Sequence, residues 1–215
     1  MRRFASCLAA GALLALPASA SAEWYVQAYL GASHTFAATL TLDRPSSDVH
    51  STFTGVTLDG RSFESPPYYG YRGGWTTGRL GFEVELTHLK VFASPGALGP
   101  LVGRFSISHG LNLLVGNIVW REAIARRVRI AFRGGAGIAI PHGESRINGV
   151  DQEQYEISSV ALEGAAGPEF VLARHLRAFA EYKLSSAAPH VSVAGGTMSG
   201  RYTSQHVAAG MGVAW

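Results

Sequence analysis

Cysteine is nearly missing: the 215 residues contain one, Cys7. It falls in an N-terminal stretch that reads as an export signal. Arg2 and Arg3 supply the positive start, Ala9 to Leu16 (AAGALLAL) the apolar segment, and Ala20-Ser21-Ala22 a small-residue cleavage site before Glu23. Cys7 lacks the apolar residues that precede a lipoprotein cysteine. Residues 1–22 are thus expected to be a signal peptide and 23–215 a single domain. The mature chain then has no thiol, which excludes disulfides and cysteine chemistry. Long apolar runs are absent too. The N-terminal one is well short of the roughly 20 residues a helix needs to cross a bilayer, and none downstream is longer. A strong charge bias is also lacking: without Arg2 and Arg3 the formal net charge falls from +3 to +1, so nothing argues for nucleic acid.

What is present is alternation. The chain is 47% hydrophobic yet holds 26 glycines, an odd pairing for helices and a natural one for curved, closely packed strands. Period-two segments recur eight times. The first carries Trp24, Val26, Ala28 and Leu30 on one face. The second runs from about Tyr68 to Trp75, and the third from Leu80 to about Val91. The fourth spans about Phe105 to Trp120. The fifth, from Val128 to Ile140, has the clearest alternation. The sixth spans about Ile157 to Leu172, the seventh runs through Ala178–Leu184, and the eighth ends at Trp215. Connections alternate: Thr77–Arg79, Arg121–Arg127 and Ala173–Leu176 are brief, whereas 37–66, 94–104, 141–156 and 185–201 are expected to be loops.

Trp24, Trp75, Trp120 and Trp215 all fall at strand ends on one side. Indole is apolar with one N–H donor and favours the water–lipid boundary. The reading is an all-β fold, an eight-stranded antiparallel up-and-down transmembrane β-barrel, which closes the sheet and satisfies its backbone in lipid. An exported barrel of this kind is expected in an outer membrane, as a monomer, delivered through its C-terminal strand to the outer-membrane assembly machinery.

Setting the aliphatic faces toward lipid turns Arg72, Glu83, Glu85, Arg129, Arg133, Glu163, Glu169, Glu181 and Lys183 inward. An eight-stranded interior is just wide enough for side chains, so these charges are expected to pair and fill it. A general diffusion porin is thereby rejected.

Eight histidines are present. Counting up from the tryptophan level, His206 lies nine residues above Trp215 and His109 eleven above Trp120. A tilted strand climbs roughly 2.5 Å per residue along the membrane normal, which puts both about 22–28 Å up, at the far interface. Strict alternation points them at the lumen mouth. His88 and His142 reach a similar height. Glu85, Lys90, Asn112 and Glu144 are near enough in sequence to join them. Imidazole with carboxylate suits a first-row metal or acid–base chemistry. It equally suits plain hydrogen bonds to loops or lipid phosphates, and no spacing here is a local metal motif. Gly134-Gly135-Ala136-Gly137 is not a phosphate loop, because it sits within a strand and no Lys-Ser/Thr follows. Ser106 and Ser108 beside His109 suggest a serine hydrolase, as in an outer-membrane lipid A deacylase, but there is no G-x-S-x-G elbow and no evident acidic third member.

Four blocks occur in order: Glu85-Leu86-Thr87-His88-Leu89-Lys90-Val91-Phe92-Ala93; His109-Gly110-Leu111-Asn112-Leu113-Leu114 with Asn117; Gly134 through His142; and Phe179-Ala180-Glu181-Tyr182-Lys183. Together they resemble alphaproteobacterial outer-membrane barrels known as lipid A oxidases, from about Tyr68 to the C-terminus. The resemblance implies oxidation of the proximal glucosamine of lipid A to 2-aminogluconate, with molecular oxygen as co-substrate. It makes His88, Glu85, His142 and Asn112 the candidate catalytic residues. No flavin or nicotinamide motif is present, so a divalent metal is the simplest redox partner, with His88, His109, His142 and His206 as candidate ligands. Outer-membrane lipid and lipid A are the expected partners. The rival reading is a non-catalytic structural or surface-interaction barrel of the OmpA/OmpX type.

Overall fold

The computed structural model describes residues 22–215; the signal reading on residues 1–21 lies outside them. Among the described residues are fourteen strands: β1 (Ala22–Thr35), β2 (Ala38–Arg44), β3 (Val49–Val56), β4 (Leu58–Asp59), β5 (Tyr69–Thr77), β6 (Leu80–Ala93), β7 (Val102–Ala125), β8 (Val128–Ile147), β9 (Val150–Tyr155), β10 (Ser159–Val171), β11 (Leu176–Ala187), β12 (His190–Val193), β13 (Gly196–Gly200) and β14 (Tyr202–Ala214). Eight of them close a ring in the order β1, β5, β6, β7, β8, β10, β11, β14 and back to β1, every pair antiparallel. This is the expected barrel.

The tryptophans are level as the sequence implies. Trp24 pairs with Trp75, and Trp24 and Trp215 exchange backbone hydrogen bonds of 3.0 Å each, while Trp120 stands opposite Leu80 on the neighbouring pair. All four are 37–60% exposed on the outer wall. Level with them stand Phe82 and Phe132, and above them Val26, Ile118, Leu162 and Met211, all exposed on strands around the wall. A continuous apolar girdle of that size is not left to water by a soluble monomer; it is the lipid-facing surface of a transmembrane barrel.

The interior holds the charges, and they are paired. Arg133 reaches Glu83 (3.0 Å), Glu169 (2.6 Å) and Glu181 (3.2 Å). Arg72 binds Glu181 with both carboxylate oxygens (2.9 and 2.7 Å) and donates to Gln27 (2.7 Å). Lys183 contacts Glu85 closely and lies 3.4 Å from Glu163. Asn117 donates toward Glu83, Glu85 and Glu163 (3.2–3.3 Å), the three acids it faces. Close chain approach makes room for this: a Cβ on Gly135 would fall 2.0 Å from the Gly116 carbonyl and 2.4 Å from Asn117 Oδ1.

Two expectations are corrected. β7 continues to Ala125, so Arg121 is a lumen residue rather than part of a turn; it binds Glu169 at 2.7 Å. Arg129 keeps the expected inward phase, opposite Glu169, but at the short-turn end of the barrel, 3.7 Å from Glu23. The second correction concerns the long connections. Much of 37–66 and 185–201 is folded: β2, β3, β12 and β13 form a separate four-stranded sheet in the order β12-β13-β2-β3. β8 runs on through Ile147 and pairs with β9. The reason is visible in Thr39-Leu40-Thr41-Leu42, a strand alternation whose leucines are fully buried. Leu40, Leu42, Val191, Val193 and Met198 pack into one apolar core with Leu89, Val91 and Ile107 of the barrel wall. Ion pairs fill the membrane section, and an apolar plug closes the long-loop end.

Removing the hub takes one buried cation from three carboxylates at once; Glu181 keeps Arg72 and Glu169 keeps Arg121, but the interior is left with an excess of negative charge. Arg133→Met should destabilise the barrel by about 3–5 kcal/mol, the cost of stranding a buried ion-pair partner. Urea unfolding in lipid vesicles, followed by tryptophan fluorescence, measures it; a change below about 1 kcal/mol would contradict the network described.

Candidate functional site

The site grows out of an irregularity in β7. On β6, Leu89 pairs with Leu111 and Val91 with Ile107, so three β7 residues, 108–110, oppose Lys90 alone. Against β8, the pairing jumps from Ser106↔Glu144 to Leu111↔Pro141. The surplus chain bulges from the wall. Bulges re-aim side chains, and this one carries Ser108, His109 and Gly110, the last at φ +115°. Because of it, His109 does not follow the strict alternation that would aim it at the lumen. Its side chain, 58% exposed, lies against His142 and Glu144, which continue the outward-facing series of Phe132, Ala136 and Ile140 on β8.

His109 Nδ1 lies 2.7 Å from Glu144 Oε1. The His109 and His142 rings meet edge to face at 4.7 Å, and His142 rests on Tyr155 of β9 at 4.0 Å. His142 is 8% exposed; its Nδ1 is buried without a hydrogen bond and is 4.0 Å from Glu144 Oε1. Ser108 donates a close hydrogen bond to the same carboxylate oxygen. Partial burial alone would raise the Glu144 carboxyl. The bonds from Ser108 and His109 and the Arg104 guanidinium at 3.8 Å outweigh it and hold the group below the ordinary carboxylate range.

His88 and Asn112 form a second group on the same outer face. Their side chains hydrogen-bond at 2.9 Å, and Tyr69 stacks on the imidazole at 4.7 Å with the planes 10° apart. Asn112 also donates to the Ile140 carbonyl (3.3 Å). Gly110 runs between the two groups. A Cβ there would fall 2.4 Å from the His88 ring and 2.9 Å from Asn112 Oδ1.

Of the residues singled out in the sequence, His142 and His109 therefore meet, and His88 and Asn112 pair beside them. Glu85 projects through the opposite face of β6 into the ion network with Lys183, Tyr29 and Asn117. His206 is likewise interior, bonded to Ser185 at 2.9 Å and facing Tyr68. Tyr69, Tyr155 and the arginines around Glu144 carried no sequence signal, because only the register brings them here. A cavity of about 400 Å³ opens beside Glu144, lined among others by Arg61, Phe92, Arg104, Ser106 and Arg146. Three guanidinium groups suit an anionic or phosphorylated group.

The arrangement has a definite chemistry. Glu144 holds one nitrogen of His109 and leaves Nε2 toward solvent, the layout of an oriented general base. It is not a hydrolytic triad. Ser108 Oγ is 3.2 Å from His109 Nδ1, the nitrogen that also meets Glu144, whereas a triad sets serine and acid on opposite ring nitrogens.

No protein-family model matches the chain, and no curated protein does. Among solved structures it is similar to Neisserial surface protein A (16% identity, TM-score 0.44, covering 88% of this chain and 96% of that one). It is also similar to Ail, the attachment invasion locus protein of Yersinia pestis (12%, 0.39, 90% and 98%), and to outer membrane protein AlkL (8%, 0.46, 100% and 97%).

The bulge depends on its glycine. Gly110→Ala should cost about 1–3 kcal/mol, the usual range for a residue forced into a sparsely populated backbone region, and should displace His88 from Asn112. Urea unfolding checks the first effect and the His88 NMR signals the second; neutrality in both would disprove the geometry.

Proposed function

We propose that this chain is an outer-membrane barrel that modifies lipid A in the outer leaflet, oxidising its proximal glucosamine with molecular oxygen. The observation that carries the reading is the position of the His109–Glu144–His142 group. It faces outward, immediately above the apolar girdle, level with where lipid head groups stand. A lumen-facing site would meet small solutes; this one meets the sugar of a neighbouring lipid. The arginine-lined cavity beside it suits the phosphate of such a head group.

The chemistry balances as follows. His109 Nε2 takes the proton of a free anomeric hydroxyl, and Glu144 supports the resulting imidazolium. The C1–H bond breaks, and its two electrons pass with two protons to oxygen, giving hydrogen peroxide. The lactone left behind adds water and opens to the 2-aminogluconate. Removing two hydrogens and adding water makes the product about 16 Da heavier. His88, held by Asn112 and Tyr69, borders the same patch and shapes the approach of the sugar.

Purified barrel incubated with lipid A bearing a free anomeric hydroxyl, under oxygen, should yield that mass increase together with peroxide. His109→Ala should lower the rate at least about 100-fold, the usual worth of a positioned general base. Unchanged lipid mass beside a working positive control would favour the non-catalytic barrel, and loss of an acyl mass would favour a deacylase; either result ends the oxidase reading.

A further inference from the structure

We propose that His109, His142 and Glu144 bind one divalent first-row transition-metal ion on the outer wall of the barrel; the ion replaces the His109–Glu144 hydrogen bond, so the general-base role of His109 belongs to the ion-free chain. One ligand atom from each residue lies within 4.8 Å of the other two. Glu144 Oε1 is 2.7 Å from His109 Nδ1 and 4.0 Å from His142 Nδ1. An ion with bonds of about 2.1 Å holds adjacent ligands about 3.0–3.4 Å apart. The two observed spacings bracket that range, so small side-chain rotations close the site.

A second observation points the same way. His142 is more than nine-tenths buried, clamped on Tyr155, and its Nδ1 has no hydrogen-bond partner although it is aimed at Glu144. A buried nitrogen left unpaired costs free energy. A lone pair facing a carboxylate gains nothing from it directly, but both gain from a cation between them. Ser108, donating to Glu144, orients the carboxylate as outer partners of metal ligands do.

The donor set names the class of ion. Calcium and magnesium prefer oxygen alone, whereas imidazole nitrogen selects zinc, iron, copper or nickel. Two histidines and one carboxylate leave coordination positions open, and the exposed His109 side chain sets the site at the solvent-facing surface. That is the ligand count of an ion that meets a substrate rather than one that only braces a fold.

The site is testable without any lipid substrate, so its failure and that of the lipid A reading are separable. The full chain, folded in detergent and stripped with chelator, is titrated with Co²⁺ by visible absorption and with Zn²⁺ by calorimetry. The expected result is one ion per chain. Glu144→Gln and His142→Ala should each weaken binding 100-fold or more, while His50→Ala and His190→Ala leave it unchanged. Folding is read from the gel-mobility shift between boiled and unboiled protein. If His142→Ala fails to fold, the near-isosteric Glu144→Gln decides. Absence of saturable binding, or binding indifferent to Glu144→Gln, overturns the proposal.

Discussion

Arg133 contacts three carboxylates that arrive from three other strands, Glu83, Glu169 and Glu181. Those contacts draw four strands, β6, β8, β10 and β11, onto one guanidinium inside the ring. The barrel and its charge network are therefore one constraint seen from two sides. Alternation sends every second residue inward; inward is a narrow, low-dielectric space; and charge there is tolerated only when opposite charge meets it. The aromatic rings of Tyr25 and Phe179, stacked under Arg121 and Arg72, complete the packing of that space.

Much of this was legible in the sequence because a strand has a period of two and the membrane has two faces. Levelling the tryptophans fixed the phase of each strand, and that phase named eight lumen charges correctly: Arg72, Glu83, Glu85, Arg133, Glu163, Glu169, Glu181 and Lys183. Arg121 escaped because the charged run Arg121–Arg127 looks like a turn, yet the strand simply continues through it. The sheet over the long-loop end escaped because Pro45, Asp48 and the surrounding polar residues outweigh a four-residue alternation in any short window. Its partners lie some 150 residues away, and nothing local announces them.

The site was legible in composition and illegible in arrangement. Height above the tryptophans brought His88, His109 and His142 to one level, which is a one-dimensional argument. Which face each occupies depends on register, and register depends on a bulge that Gly110 permits. That single irregularity turns His109 from the lumen to the wall. Glu85, three residues before His88, is carried to the opposite side of the same strand. A carboxylate close in sequence is thus excluded, and Glu144, from the next strand, takes its place.

The sheet over the long-loop end joins a hairpin from near the start of the chain to one from near its end, with Thr41 opposite Ser199, and β1 and β14 meet directly beneath it. Both seams of the molecule therefore wait for β13 and β14. A nascent or clipped polypeptide has neither a shut wall nor a sealed top, and its greasy girdle and its salt-laden middle are exposed together.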